Sequence, residues 1–297
     1  MKKLGLSVLA CLCLLGSQPA RAWHQGGHEL VAQIAWDRLR PRDRVKLDAI
    51  LSKLPDPRYR QFVIASIWPD VIKSRKYLVG GEGGSPYPAD RIHGNWHFKD
   101  VPIFMGEVPH AVVDKSESIL DGLPKEVAVL SDAKSDPADR AVALSWVLHL
   151  VGDVHQPLHC ASLYSPAFEP DPDGDKGGNA FVIHGSKATE LHAFWDSVAE
   201  SFPLDINNPP TMSRIQADAA HLEREFPERH FDDEARDLDL ADWVHQSSEL
   251  ARTVAYTLPY GGTPDAAYRA RALAVCHERI ALAGYRLAHL LERCLRS

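Results

Sequence analysis

Apolar side chains recur at helical spacing along most of the chain. Apolar residues three and four positions apart share one face of a helix, so this pattern predicts a series of amphipathic helices. Two stretches lack the pattern, 80–109 and 156–185, although a short strand is predicted over 181–184. Loops of this length inside a compact domain are more often functional than idle. The predicted helices span 26–40, 43–54, 60–78, 111–130, 138–155, 188–201, 212–224, 240–257 and 265–293.

The succession of helices contains no internal repeat and no obvious linker, which predicts a single mostly α domain over 23–297, a helical bundle with long loops. The 297 residues, 45% of them hydrophobic, are enough for one packed core. The aromatic fraction of 8% and the charged fraction of 25% argue against a disordered or fibrous chain. The 15 histidines are a weak compositional hint of metal binding.

The first residues have the features of a secretory signal peptide. Lys2 and Lys3 precede the apolar run 4–16, and a small-x-small pattern ends at Ala22. The apolar run is too short to remain as a membrane span. Lipidation at Cys11 is the alternative, but the apolar run ahead of that cysteine would be very short. We therefore expect residues 1–22 to be removed after Ala22 and the mature protein to be periplasmic or secreted.

Export changes the charge and the cysteine content. The formal charge of -7 falls to -10 because the three cations of 1–22 leave with the signal peptide. An acidic protein does not hold nucleic acid through basic patches, so bound cations would have to attract a phosphate substrate. Cys160, Cys276 and Cys294 remain, and the last two fall on one predicted helix, too far apart to bridge. No disulfide framework is predicted.

Histidine and aspartate occur together near the end of the predicted helix 138–155. His149 and Asp153 are four positions apart, so their side chains lie on one face of the helix. Pro157 ends the helix and allows His159 to turn back toward the same region. Imidazole and carboxylate groups together are a typical set of zinc ligands. This segment therefore predicts a metal site.

A second pair repeats the spacing. His192 and Asp196 are again four positions apart, on a helix rich in apolar residues. For one such pair, an ion pair on a helix surface is the simpler interpretation. Two pairs on helices that should be buried favour metal binding, because an unpaired buried carboxylate is costly and a metal ion cancels that cost.

Two further segments carry candidate ligands. Asp70 follows a Trp-Pro sequence, and Lys73 lies one helical turn after it on the same face. His97 stands between Trp96 and Phe98 in the stretch rich in glycine and proline. Each segment is weak evidence alone, because Trp-Pro-Asp often begins a helix and a loop histidine is often solvated.

Cleavage after Ala22 would leave Trp23 as the first residue, with His28 close behind. A free α-amine and the carbonyl of the same residue can close a five-membered chelate on a metal ion. The amine has an ordinary pKa of about 7.7–8.0, so the metal would compete with a proton near neutral pH. From spacing alone, a frayed terminus is the more ordinary outcome.

Taken together, these segments resemble the S1/P1 nuclease family, and they occur in the order found in that family. The resemblance covers the chain from Trp23 to Asp196, and the helical remainder is compatible with it. It implies a mostly α bundle of the phospholipase C/P1 nuclease type, with long loops around a cleft that binds three zinc ions. The matching motifs are Trp23 with His28, Trp-Pro-Asp70, Trp-His97-Phe, His149-Leu-Val-Gly-Asp153-Val-His-Gln-Pro-Leu-His159, Gly-Gly-Asn179 and Leu-His192-Ala-Phe-Trp-Asp196.

The resemblance assigns the ligands of the three zinc ions residue by residue. Asp153 would bridge the first and second ions. Three divalent cations would also give an acidic protein a locally positive cleft that attracts phosphate. The implied ligands are Asp70, His97, His149 and Asp153 for the first ion, the amine and carbonyl of Trp23 with His28 and Asp153 for the second, and His159, His192 and Asp196 for the third.

The implied reaction is hydrolysis of the P–O3′ bond, which leaves 5′-phosphates from single-stranded DNA or RNA and inorganic phosphate from 3′-nucleotides. The water would be activated by two close metal ions held in part by Asp70 and Asp153. Lys73 would stabilise charge on the phosphoryl group, although a solvated helix lysine is an equal alternative. Phe98 would stack on a base that Asp100 also contacts, unless Phe98 is a core aromatic. Asn179 would shape the wall of the cleft.

Two other functions fit part of this pattern. A zinc-dependent phospholipase C shares the ligand types, the fold and the N-terminal tryptophan, so activity on phospholipid head groups is the main alternative. A protein that only binds or scavenges zinc belongs to a different class, but it would need neither a bridging carboxylate nor Lys73 beside it. We expect a monomer whose partners are single-stranded nucleic acids and nucleotides, with no protein partner implied.

Overall fold

A computed structural model describes residues 23–73, 92–108, 116–169, 171–198 and 211–296. Residues 1–22, the predicted signal peptide, lie outside this part of the chain. The described residues are mostly helical, which confirms the predicted fold class. The helices are α1 Gln25–Arg38, α2 Pro41–Leu51, α3 Phe62–Ala65, α4 Trp68–Lys73, α5 Ile119–Ser131, α6 Pro137–Asp153, α7 Leu191–Val198, α8 Met212–Glu225, α9 Leu240–Thr253 and α10 Ala266–Cys294.

The helices surround α6, which is buried on every side from Ala141 to Asp153. A helix with apolar residues on all of its faces is normally buried at the centre of a hydrophobic core. The long helix α10 packs along α1, and Gly284 permits this close approach, since a Cβ there would lie 2.5 Å from the side chain of Ile34. One hydrophobic core connects these elements and includes Trp23.

Local signals fix both ends of α6. Asp136 accepts hydrogen bonds from the backbone N–H groups of Ala138 and Asp139, and Pro137 occupies the first turn. The helix ends at Asp153, and a 3₁₀ turn over Pro157–Cys160 follows. The predicted break therefore occurs, and the chain reverses with His159 inside the turn.

The predicted helix over 60–78 is wrong in its middle, because α3 ends at Ala65 and α4 begins at Trp68. The carbonyl groups between them bond to side chains of α6: Ala65 accepts from the hydroxyl of Ser145, and Ser66 accepts from His149. Tertiary hydrogen bonds thus replace the helical ones. Residues 74–78 lie outside the described residues.

Two other predicted boundaries also differ. Of the helix predicted over 111–130, residues 111–115 lie outside the described residues and 116–118 are not helical; α5 begins at Ile119, where Ser118 and Asp121 form a capping box. Within 181–184, the predicted strand is reduced to one antiparallel bridge between Val182 and Glu190.

The long segments predicted to lack regular structure contain short elements. Strand β1, Pro102–Phe104, pairs in parallel with β2, Ser162–Tyr164, with Ile103 opposite Leu163. A 3₁₀ turn over Gly94–His97 presents His97 toward the core. Such three-residue strands are too short to show a period in the sequence. Across the described part of the chain, no helix combines the length and the apolar character needed to cross a bilayer.

Candidate metal centre and cleft

Eight side chains predicted to bind metal converge around the C-terminal end of α6. They form three clusters, and within each cluster one possible ligand atom per residue lies within 4.8 Å of the others. All of these side chains except that of Asp70 are buried. The clusters are Asp70 with His97 and His149, His28 with His149 and Asp153, and His159 with His192 and Asp196.

The first metal group, Asp70, His97, His149 and Asp153, has the spacing expected of a tetrahedral site. Asp153 Oδ2 lies 3.0 Å from His97 Nδ1 and 3.2 Å from His149 Nε2. Asp70 Oδ1 lies 3.8 and 3.6 Å from the same two nitrogen atoms. Ligand atoms bound tetrahedrally to zinc stand about 3.4 Å apart. These four side chains therefore match the size of one zinc ion.

The two carboxylate oxygens of Asp153 face different partners. Oδ2 faces the first metal group, whereas Oδ1 lies 3.4 Å from His28 Nε2. His28 stacks on His149, with 3.9 Å between the ring centroids. His149 belongs to the first group rather than to both, because its Nδ1 is bonded to Ser66 and only Nε2 is available. Asp153 thus has the geometry of the predicted bridge.

The second metal group is His28 with Asp153, and Trp23, the first residue of the predicted mature chain, is packed against the end of α6 that carries Asp153. Trp23 is fully buried, and its indole N–H donates to the carbonyl of Gly152 at 2.9 Å. A Cβ on Gly152 would lie 2.6 Å from His28 Nδ1, so the sequence needs glycine here for the histidine to fit. The N–H of His24 donates to the carbonyl of Asp196 at 3.3 Å.

The third metal group, His159, His192 and Asp196, lies beside the 3₁₀ turn after α6. His192 Nε2 lies 3.5 Å from Asp196 Oδ2, and the rings of His159 and His192 are 5.0 Å apart. The side-chain amide of Gln156 donates to Asp196 Oδ1 at 2.7 Å, and the Oε1 atom of the same amide accepts from the N–H of Leu158. One buried glutamine therefore connects the turn to the carboxylate.

Backbone carbonyl groups orient three of the histidines. Each carbonyl can only accept, so each Nδ1 carries the proton and each Nε2 keeps its lone pair for a ligand. This is the usual support for a metal-binding imidazole. The three bonds are His149 to Ser66 at 2.7 Å, His159 to His97 at 2.7 Å and His192 to Gly177 at 2.5 Å.

The donor atoms of these groups fit a divalent metal. Buried polar atoms are nearly always hydrogen-bonded, and exceptions need an explanation. Zinc ions in proteins are bound by three or four side chains, and imidazole nitrogen and carboxylate oxygen atoms are common ligands. Within the described residues, buried atoms of these groups without a hydrogen-bond partner are both ring nitrogens of His28, His97 Nε2, Asp153 Oδ1, His159 Nε2 and His192 Nε2, whereas Asp70 Oδ1 meets the ammonium group of Lys73.

Burial and neighbouring charges hold six of the eight groups in the form that binds a cation. For the other two, burial is outweighed by the carboxylates of Asp153 and Asp70, which raise the pKa of His149, and burial raises the pKa of Asp196. Burial, followed by the charge of Lys73, lowers the pKa of His97 to about 3. Burial, followed by His159, lowers the pKa of His192 to about 3. Burial would raise the pKa of Asp153, but the surrounding histidines outweigh it and bring the pKa well below its ordinary value. Neutral imidazole and ionised carboxylate are the forms that ligate metals.

A cleft of about 540 Å³ opens beside the metal groups, with His97, His159 and His192 in its lining. The four residues predicted to meet substrate, Lys73, Phe98, Asp100 and Asn179, also line it. Lys73 Nζ lies 2.7 Å from Asp70 Oδ1, and Phe98 is half-buried rather than part of the core. The structure therefore brings every predicted site residue to one place, and their individual roles stay predictions.

Two buried arginines behind the site, Arg279 and Arg286, were not predicted from the sequence. His155 donates to the carbonyl of Val151, and Arg286 donates to its other ring nitrogen at 2.9 Å. Arg279 bonds to Ser247, whose hydroxyl donates to the carbonyl of Val154. The only sequence signal for these arginines is their place on the apolar face of α10, where a charged side chain is unusual.

One side of the cleft comes from the glycine-rich segment around Gly177. Gly177 adopts φ 65°, and a Cβ there would lie 2.7 Å from the carbonyl oxygen of Leu158. A residue with a side chain could not approach the turn so closely. Gly177 and Asn179 line the cleft, and Gly177 carries the carbonyl that orients His192.

Comparison with known proteins agrees with this geometry. The sequence profile of the S1/P1 Nuclease family matches residues 23–296. Endonuclease 2 of Arabidopsis thaliana is 24% identical over 296 residues, which covers 97% of this chain and 96% of that protein. Endonuclease 5 of the same plant is 32% identical over 162 residues, 51% of this chain and 50% of that protein.

A fungal relative is also similar. Nuclease S1 of Aspergillus oryzae is 25% identical over 186 residues, 61% of this chain and 55% of that protein. The family match covers nearly the whole described chain and begins at Trp23, so the resemblance inferred from the motifs is confirmed. The chain belongs to the S1/P1 nuclease family and is a hydrolase of phosphodiester bonds in nucleic acids.

Proposed function

We propose that this protein is an exported, zinc-dependent endonuclease that cleaves single-stranded DNA and RNA to 5′-phosphorylated products and also acts on 3′-nucleotides. One observation carries the proposal. Eight candidate ligand side chains from distant segments, seven of them buried, converge in three groups beside a cleft that also presents a lysine and a half-buried aromatic ring. A protein that only stored zinc would not need the last two features.

The three metal groups would each hold one zinc ion, and the amine and carbonyl of Trp23 would complete the second. Zinc supplies Lewis acidity toward the phosphate and an activated water. Asp153 holds two groups at a fixed separation through its two oxygens, while Gln156 fixes the carboxylate of Asp196. The chain therefore contributes a preorganised set of negative and neutral donors whose geometry is set before substrate binds.

The cleft residues would position the substrate. Lys73 places a positive charge next to the first metal group, where it can meet a nonbridging phosphate oxygen. Phe98 offers a ring face for a base, and Asp100 can accept hydrogen bonds from the edge of that base. A base inside a duplex cannot reach such a ring, so a preference for single strands follows.

The test uses the processed protein with defined metal content. Cleavage rates are compared on single-stranded DNA, single-stranded RNA, a matched duplex, a 3′-nucleotide and phosphatidylcholine, before and after chelation and after zinc is restored. We expect fast turnover of single strands, slow turnover of the duplex, loss on chelation and recovery with zinc. Equal rates on duplex and single strand, activity that survives complete chelation, or dominant release of phosphocholine would overturn the proposal.

Export and processing have their own test. We propose that cleavage after Ala22 frees the amine of Trp23 for the second metal group. A protein that begins with one extra residue before Trp23 should then contain less zinc and turn over more slowly. The matched control carries the same extra residue after Ser297. Full zinc content and full activity in the N-terminally extended protein would refute the chelate.

A further inference from the structure

A second lysine lines the cleft, and none of the assignments above involves it. Lys176 belongs to the cleft loop, 171–179, whereas Lys73 comes from α4. The side chain of Lys176 is 51% exposed, and its Nζ lies 2.7 Å from Asp171 Oδ2, which is also partly exposed. The two lysines therefore enter one cleft from different segments of the chain.

The backbone at Lys176 is unusual. Its φ is 56°, in the left-handed region that disfavours any residue with a Cβ. The other left-handed positions of the cleft loop, Gly174, Gly177 and Gly178, are all glycine. Glycine or asparagine at position 176 would adopt this backbone with less strain. Strained backbone of this kind concentrates at functional sites.

The loop holds this lysine in place. The N–H of Lys176 donates to the carbonyl of Asp173, and its own carbonyl accepts from the side chain of Asn179. The next residue, Gly177, orients His192 of the third metal group. Lys176 thus directly precedes the residue whose carbonyl orients His192 of the third metal group, whereas Lys73 is paired with Asp70 of the first.

The ion pair between Lys176 and Asp171 is weak enough for another anion to replace Asp171. Exposed pairs of lysine and carboxylate contribute little, since water screens them and both side chains are flexible. A phosphate group can therefore replace Asp171 as the partner of Lys176 at small cost. On an acidic protein, a cation in the cleft that can change partner suits a substrate with several phosphates.

We propose that Lys176 binds a phosphate of the polynucleotide other than the one that is hydrolysed, and that it thereby favours polynucleotides over mononucleotides. This inference rests on the proposed function of the cleft. A mononucleotide carries one phosphate and gains nothing from Lys176. An oligonucleotide extends along the cleft and gains one ionic contact, which appears in its KM and in its response to salt.

The experiment measures kcat and KM of the zinc-loaded enzyme on a single-stranded ten-nucleotide DNA and on a 3′-mononucleotide. Lys176→Met should lower kcat/KM on the oligonucleotide about five- to tenfold, mainly through KM, and change it less than about twofold on the mononucleotide. The slope of log KM against log salt should become smaller by about 0.7 for the oligonucleotide, as expected for one lost phosphate contact with a single strand.

Three further variants separate the charge from the loop. Lys176→Gly accepts the left-handed backbone without strain and should lose as much as Lys176→Met, whereas Lys176→Arg should retain most of the activity. Asp171→Asn removes the competing carboxylate and should lower KM for the oligonucleotide about two- to threefold. Lys134→Met is the control, because this exposed lysine lies between α5 and α6, at the opposite end of α6 from the metal groups.

These measurements distinguish a phosphate-binding role of Lys176 from a structural role in the loop. Equal losses on both substrates, an unchanged salt slope or full activity of Lys176→Gly on the oligonucleotide would refute the role of Lys176. Zinc content is measured for each variant, and a loss of zinc that parallels the loss of activity would assign Lys176 to the loop instead. A wild-type enzyme without activity on any oligonucleotide would overturn the proposed function itself.

Discussion

The floor of the cleft, formed by the three metal groups, differs in construction from its wall, formed by Lys73 and the cleft loop 171–179. On the floor, the metal groups are buried, and carbonyl or amide groups fix the orientation of His149, His159, His192 and Asp196. On the wall, half of the side chain of Lys176 is exposed, and its ion pair can be exchanged. A metal ion tolerates errors of only tenths of an ångström in its ligands, whereas a substrate must enter and leave. Each region has the rigidity that its ligand demands.

This difference also separates metal affinity from catalysis. Burying unpaired carboxylates and imidazoles on the floor costs free energy unless a cation joins them. Changes on the floor should therefore reduce metal content and activity together. Changes on the wall should reduce activity or substrate affinity while the metal remains bound. The following variants test that division.

The largest effect is expected for Asp153→Ala. Its two oxygens face two metal groups, so the substitution removes ligands from both. We expect turnover to fall by roughly a thousandfold or more and about two metal ions per protein to be lost, measured by kinetics and by elemental analysis. Asp48→Ala, at an exposed position of α2, is the control. Near-normal activity of Asp153→Ala would show that this carboxylate does not bridge.

Lys73→Met should separate the wall from the floor most sharply. Lys73 lines the cleft but also touches Asp70, and its side chain is 19% exposed. We expect kcat to fall about 100-fold with nearly unchanged zinc content, because the charge that we propose to stabilise the transition state is lost. Lys73→Arg keeps the charge and should lose less. If zinc and turnover fall in parallel in Lys73→Met, the lysine supports Asp70 instead.

A smaller effect is expected for Gln156→Met, on the floor. The substitution removes the hydrogen bond to Asp196 and leaves the N–H of Leu158 without its acceptor. A hydrogen bond to a metal-binding side chain typically contributes about 10- to 100-fold to metal affinity. The ion of the third metal group should therefore dissociate more readily in a competition with a chelator. Gln33→Met is the matched control, since Gln33 is equally buried but donates to Asp37. Equal zinc affinity in both variants would contradict the role of Gln156.

The sequence predicted the floor better than the wall, and the reason is physical. A metal site requires particular residue types, and helical spacing places His149 and Asp153, or His192 and Asp196, on one face. No spacing rule joins Asp70 and His97 to these helices, because tertiary packing brings their segments together. Only the resemblance to a known family predicted that convergence.

Other features depended on tertiary contacts that leave no periodic signal. The break after Ala65 occurs where Pro69 has no N–H to donate to the carbonyl of Ala65, and the carbonyls of Ala65 and Ser66 bond to α6 instead. The strands β1 and β2 are too short for an alternating pattern to appear. Lys176 was overlooked because a lysine between an aspartate and two glycines looks like an ordinary turn residue, and only its φ value distinguishes it.

The cleft loop has one buried anchor, and that anchor is a carboxyl group. Asp175 accepts hydrogen bonds from the N–H of Leu163 and from the hydroxyl groups of Ser162 and Tyr256. Burial outweighs these bonds and raises the pKa of Asp175 from 3.8 to about 6. The wall is therefore attached to β2 through a group that titrates in weak acid, while its outer lysine remains exchangeable.

The smallest change in activity is expected for Asp175→Asn, whose main effect is on stability. Below pH 3.8 the carboxyl is protonated in both states, and between 3.8 and about 6 only the unfolded chain releases the proton. The free energy of unfolding of the wild type, relative to the variant, should therefore fall by up to about 3 kcal/mol as the pH rises through that window and then stay constant. Urea unfolding of both proteins in one zinc buffer measures this difference. A difference that rises with pH would mean that the hydrogen bonds outweigh burial and that the anchor is ionised in the folded protein.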